Sequence, residues 1–209
     1  RFSTYRADSE VSRLNRGALD LHAASPDVRA ILARCADLRA ETNGWFDAGA
    51  PDALDPSALV KGWAVQCAAD RLSAAGATDF CLTAGGDLVA RGGARPAASW
   101  LVGIQHPRDR RAIAATLRAT RLAVATSGAY ERGAHVRDPH TGRPPSGVLS
   151  VTVTGCDLGT ADAYSTAAFA MGLDGPAWTL RLRGYEAMTI LADDTVLATP
   201  GFPGQDVAA

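Results

Sequence analysis

The sequence predicts an α+β fold: a mixed, mostly antiparallel sheet core with packed helices. Three observations carry this. Helical periodicity dominates as far as Gly76. Strand-like alternation and β-branched runs dominate from Asp79 to Thr154, and helical patterning then returns before a closing hairpin. A doubly wound parallel sheet needs strands and helices in alternation, and that order is absent. The chain has 209 residues, of which 47% are hydrophobic and 21% charged, so one globular domain over residues 1–209 is expected.

The first helix spans Asp8 to Asn15, with Val11 and Leu14 on one face and Gly17 as its stop. The second is capped by Ser25 and opened by Pro26, whose φ is already set for a first turn. Val28, Ile31, Leu32, Cys35 and Leu38 share its apolar face, and Asn43-Gly44 supplies a left-handed stop. A third helix runs from after Ser57 to about Ala75. Phe80 to Thr83 and Leu88 to Ala90 then flank a glycine turn as a hairpin. Trp100–Gln105, Ile113–Leu117, Leu122–Ala125 and Gly147–Thr154 read as further strands. Helices follow from Thr160 to about Gly172 and from Pro176 to about Arg183. Tyr185–Leu191 and Thr195–Ala198 close the chain as a hairpin around Asp193-Asp194.

Charge and composition remove several function classes. Lys+Arg total 21 and Asp+Glu total 22, a net charge of −1, so nothing supports a phosphate-tracking nucleic-acid surface. The four cysteines form no CxxC pair, which argues against a zinc site and for ordinary thiols. No stretch approaches the ~20 apolar residues of a membrane span. With no signal or lipid-anchor segment in the sequence given, a cytoplasmic address is expected.

Several segments could carry chemistry, each with a plain structural alternative. Asp162 and Thr166 are four apart on a predicted helix, so a carboxylate and a hydroxyl share one face, as suits a hard cation such as Mg2+. Alternatively, Asp162 complements the helix dipole and Thr166 is merely buried. Lys61, the only lysine in the chain, sits one turn into a helix opened by small residues, where a phosphate could bind. An arginine-rich composition explains its solitude equally well. Gly85-Gly86 is a tight turn or a point of close ligand approach. His135, before the Pro139-His140-Thr141-Gly142 turn, is an acid/base candidate or a loop-ordering histidine. Ser127, in Thr126-Ser127-Gly128, ends a strand and reads either as turn chemistry or as a site hydroxyl.

Taken in order, these pieces make a recognisable series. They are Phe2-Ser3-Thr4-Tyr5 with Asp8 through Asn15, Gly44-Trp45-Phe46-Asp47, Asp55 through Ala64, and Gly85-Gly86-Asp87. Trp100 through Pro107, Ala123 through Gly128, His135 through Pro144, Ser150 through Thr154 and Thr160 through Ala163 complete it. The chain resembles the ApbE family, the FAD:protein FMN transferases. The resemblance implies an ApbE-like fold and an enzyme that uses Mg2+. It implies FAD as substrate and FMN transfer to a Thr or Ser of an acceptor flavoprotein, with AMP released. The runner-up activities are an FAD pyrophosphatase and a flavin-binding module without turnover. Carried over, Asp162, Thr166 and the Ala58 carbonyl would hold the metal. Asp47, Lys61, Gly85, Gly86, Ser127 and His135 would touch or flank FAD, with His135 as the base. The family's N-terminal strand is not in this sequence, and only the seven residues 48–54 separate Asp47 from Asp55, which marks a compact variant.

Overall fold

The computed structural model describes residues 1–50, 53–128 and 136–205. Helix α1 (Glu10–Asn15) begins at Ser9, whose Oγ accepts the Ser12 N–H at 3.1 Å, and ends before Gly17 at φ +67°. Helix α2 (Pro26–Glu41) follows. Ser25 holds its N-cap position, but the hydroxyl makes no cap bond. The expected hydroxyl cap is therefore not made, while the Ser25 N–H donates to Glu10 Oε2 at 2.6 Å and ties α1 to α2. Asn43 and Gly44, at φ 52° and 82°, provide the left-handed stop as expected.

A small hairpin, β1 (Gly49–Ala50) with β2 (Ala53–Leu54), was not foreseen; it leads into α3 (Ser57–Ala74). Next come β3 (Phe80–Ala84) and β4 (Asp87–Arg91), paired across the Gly85-Gly86 turn. Strands β5 (Trp100–Gln105), β6 (Ile113–Ala119), β7 (Arg121–Gly128) and β8 (Val148–Gly155) follow. Helix α4 (Leu158–Ala170) starts two residues before the expected Thr160, because Asp157 caps it by accepting the Thr160 N–H at 2.8 Å. Helix α5 (Gly175–Thr179) is shorter than expected. After it the chain tightens into i→i−3 turns, with Arg181 N–H on the Trp178 carbonyl and Leu182 N–H on the Thr179 carbonyl. Strands β9 (Glu186–Leu191), β10 (Val196–Ala198) and β11 (Gly204–Gln205) finish the fold.

Six strands form one sheet in the order β10-β9-β8-β7-β4-β3, and β11-β6-β5 form another. Every described pairing is antiparallel. The six-stranded sheet is covered on both faces, which is why its strands read as near-continuous apolar runs. Val89, Ala123, Ala125, Val151 and Val153 pack against α3 and α4 through Val65, Ala69, Leu158, Ala161 and Phe169. Their neighbours Leu88, Ala90, Val124, Met188 and Ile190 face the small sheet through Val102, Ile104, Ala115 and Leu117. A third cluster joins α2, α3 and α4 through Ile31, Leu38, Leu59, Ala163 and Ala167. Glu41 pins the outside of this join. It receives Arg34 at 2.6 Å and the Tyr164 hydroxyl at 2.9 Å.

Helices α3 and α4 approach closely because both are small where they meet. A Cβ on Gly62 would lie 2.6 Å from the Leu158 carbonyl oxygen and 3.0 Å from Gly159 Cα. Both atoms are backbone and cannot swing aside. Gly62→Ala gains about 1 kcal/mol of helix propensity. We expect overpacking of about 1–3 kcal/mol to outweigh it, read as a lower denaturant midpoint with unchanged slope.

Candidate active site

The close approach at Gly62 brings three elements to one point. Lys61 lies in α3, Asp162 in the second turn of α4, and Asp87 is the first residue of β4, directly after the glycine turn. Lys61 Nζ is 2.7 Å from Asp87 Oδ2 and 3.6 Å from Asp162 Oδ1. Asp87 is completely buried and Asp162 nearly so, at 3% exposure. Asp87 Oδ1 also accepts the Thr126 N–H of β7 at 3.4 Å. With all three groups ionised, one negative charge is in excess. Burial, and then the charge of Asp87, push the Asp162 carboxyl well above the usual carboxylate range, while Lys61 and the Gly62 N–H pull it down.

Asp162 Oδ2 is buried and has no hydrogen-bond partner. Such an atom costs free energy unless something binds it. Thr166 stands one turn along α4, as its spacing requires, and its Oγ1 lies 3.2 Å from Ser127 Oγ of β7. Ser127 Oγ is also 2.8 Å from Ser165 Oγ, which donates to the Asp162 carbonyl at 2.9 Å. Helix geometry aims the Ala58 carbonyl toward the N–H of Gly62, the backbone group that helps pull the Asp162 carboxyl down. Carboxylate, hydroxyl and carbonyl oxygens are the donor set of a hard divalent cation, so the residues fit Mg2+. Among the described residues no group of three or more His, Cys, Asp or Glu comes together as a metal site; this donor set is a different kind, with a single carboxylate.

Of the other expected residues, Gly85 and Gly86 directly precede Asp87 in the turn between β3 and β4. Gly85 and Gly86 are exposed, at φ 56° and 87°, a turn that a side chain would strain. Asp47 opens the β1 hairpin, where Arg39 Nε meets its Oδ2 at 3.1 Å and the Gly49 N–H its Oδ1 at 2.8 Å. His135 lies outside the described residues. The turn after it is as expected: the Asp138 carboxylate accepts the Thr141 hydroxyl at 2.7 Å and the His140 N–H at 2.8 Å. The His140 ring packs edge-on to Trp45 at 4.6 Å, which joins two of the sequence segments in space.

Sequence reasoning did not single out Asp87, Gly62 or Ser165. Asp87 carried a usable signal, since a carboxylate opening an otherwise apolar strand must find a cation if both sheet faces are covered. Ser165 carried none, because a serine in an alanine-rich helix looks like filler.

The profile of the ApbE family matches residues 1–51 and 48–189 of this sequence. The chain belongs to the ApbE family. Among the relatives of this ApbE chain is an FAD:protein FMN transferase of Vibrio cholerae serotype O1, 34% identical over 129 residues. That match takes in 57% of this chain and 39% of the relative. An FAD:protein FMN transferase of Rhodobacter capsulatus is 35% identical over 158 residues, 70% of this chain and 30% of the relative. The ApbE chain thus spans well under half the length of these two relatives. The solved structure of the flavin transferase ApbE from Vibrio cholerae superposes with a TM-score of 0.83 at 26% identity, covering 96% of this chain and 84% of that one. The ApbE protein of Thermotoga maritima gives a TM-score of 0.86 at 23% identity, over 96% and 84% of the two chains, which speaks to fold alone. The α+β fold read from the sequence is therefore that of known ApbE structures. No helix among the described residues is long and apolar enough to cross a membrane.

Proposed function

We propose that this protein transfers the FMN half of FAD to a threonine or serine hydroxyl of an acceptor flavoprotein, in an Mg2+-dependent reaction that releases AMP. The observation that carries the reading is the buried, partnerless Asp162 Oδ2 beside the Lys61 ammonium. It is an oxygen site for a divalent cation next to a cation for phosphate, in a chain of the ApbE family. Two relatives named FAD:protein FMN transferase support the choice of reaction.

In this reading Asp162, Thr166 and the Ala58 carbonyl hold Mg2+. The bound ion supplies charge neutralisation at the pyrophosphate oxygens. Ser127 orients the Thr166 hydroxyl from β7, within reach of the flavin phosphate. Lys61 adds a second positive charge at the pyrophosphate. The Gly85-Gly86 turn admits the dinucleotide close to backbone, and Asp47 flanks it from the β1 hairpin. The acceptor hydroxyl attacks the FMN phosphorus, and the P–O bond to AMP breaks as the new phosphoester forms. His135 takes the proton that the hydroxyl loses.

Two outcomes are expected. Mass spectrometry of an acceptor flavoprotein incubated with this protein, FAD and Mg2+ should show the added mass of FMN. Free FMN with an unlabelled acceptor would replace the transferase with an FAD pyrophosphatase. Calorimetry should also give tighter binding of FAD than of FMN, since the site is built for a pyrophosphate; equal affinities would count against a dinucleotide cleft.

A further inference from the structure

We propose that Asp87 is a positioning residue that parks the Lys61 ammonium away from Asp162, keeping the Asp162 carboxylate open for the divalent cation. The inference deepens the reading above and rests on it.

Geometry carries the argument. Lys61 faces two carboxylates but does not sit midway: it is 2.7 Å from Asp87 and 3.6 Å from Asp162. The shorter contact is a close ion pair and the longer one a looser ion pair, so the ammonium leans toward Asp87. Asp162 keeps Oδ2 without a hydrogen-bond partner although the ammonium lies 3.6 Å from its Oδ1. Asp87 can hold Lys61 because its own position is fixed. It is fully buried, it starts a central strand, and its other oxygen accepts the Thr126 N–H of the neighbouring strand. Lys61, in turn, is only partly buried, with 26% of its side chain exposed, so its flexible stem can swing. Without the charge on Asp87, the other carboxylate paired with that ammonium among the described residues is Asp162. A salt bridge there would occupy the oxygens the cation needs. The ammonium held by Asp87 meanwhile stays 3.6 Å from Asp162 Oδ1, where it would add positive charge beside a phosphate bound at the carboxylate.

Asp87 thus acts on the metal through Lys61, and this separates positioning from plain charge. Mn2+, used as the probe for Mg2+, is titrated by calorimetry or electron spin resonance into the flavin-free protein. Four forms are compared: wild type, Asp87→Asn, Lys61→Met, and the double variant. Where Lys61 is kept, Asp87→Asn should weaken Mn2+ binding roughly tenfold or more. Where Lys61→Met has removed the competing ammonium, the same Asp87→Asn substitution should cost under about threefold. The double variant should regain most of the Mn2+ affinity while FAD affinity stays low, because the phosphate-binding ammonium is gone. Equal costs in the two backgrounds would mean that Asp87 acts only by its own charge, and the proposal would fall. So would an Asp87→Asn variant that binds Mn2+ like wild type. Asp87→Ser, which leaves room for water, is the second substitution, and the cycle is read from whichever variant keeps the wild-type melting transition. A wild-type protein that binds neither Mn2+ nor FAD overturns the proposed function itself; one that binds both but shows additive costs overturns only the role of Asp87.

Discussion

Asp162→Asn should lower Mg2+-dependent FMN transfer by about 100-fold or more while leaving the fold intact. The substitution keeps the shape of the side chain and removes the charged ligand of a hard-cation site. A loss of roughly 3 kcal/mol of charge stabilisation corresponds to that factor. Mg2+ should also stop stabilising the protein. A ligand at 100 times its Kd stabilises the wild type by about 2.7 kcal/mol, and that shift in melting temperature should vanish in the variant. Without metal the sign reverses. The Asp162 carboxyl is raised by burial and by Asp87 to about 8 in the folded state, from 3.8 for the free group. Between those values the folded state holds a proton that the unfolded state has lost, so metal-free stability falls as pH rises through the window. Asp162→Asn should flatten this slope in denaturation series run with chelator. Unchanged metal dependence of turnover would show that the carboxylate is not the ligand; an unchanged slope would show that Asp162 holds no extra proton in the folded, metal-free protein.

His135→Ala should slow single-turnover transfer by roughly 10²–10⁴, the usual cost of removing a general base, at saturating FAD and Mg2+. FAD affinity should change much less than the rate. If affinity and rate fall together, His135 orders the loop leading to the Asp138–Arg143 turn and does no proton transfer. A near-normal single-turnover rate would assign activation of the hydroxyl to the metal and an acceptor-side group, leaving the Asp162 and Lys61 assignments in place.

Much of this molecule was legible in its residues. Left-handed stops at Asn43-Gly44 and Gly17, the Gly85-Gly86 hairpin and the i, i+4 pairing of Asp162 with Thr166 all came out where the spacing put them. Each depends on backbone sterics or helical period over a few residues, and both are local. The departures have the opposite origin. Ser25 keeps the N-cap position without a hydroxyl cap bond, and its N–H is tied to Glu10, fifteen residues away, a contact only the fold creates. The helix expected to reach Arg183 ended at Thr179, with the chain passing into tighter turns.

The candidate site divides along the same line. The order of residues already supplies the groups: one lysine, a carboxylate with a hydroxyl one turn on, a double glycine and a histidine before a turn. It also determined the elements that carry them. Only the folded chain brings Lys61 to Asp87 as well as Asp162, and Ser127 to both Ser165 and Thr166. Those pairings join residues far apart in the chain and depend on two glycine-bearing helices meeting at Gly62 and Gly159. The strength of a charge pair depends on distance and burial, and neither exists until the chain has folded around it.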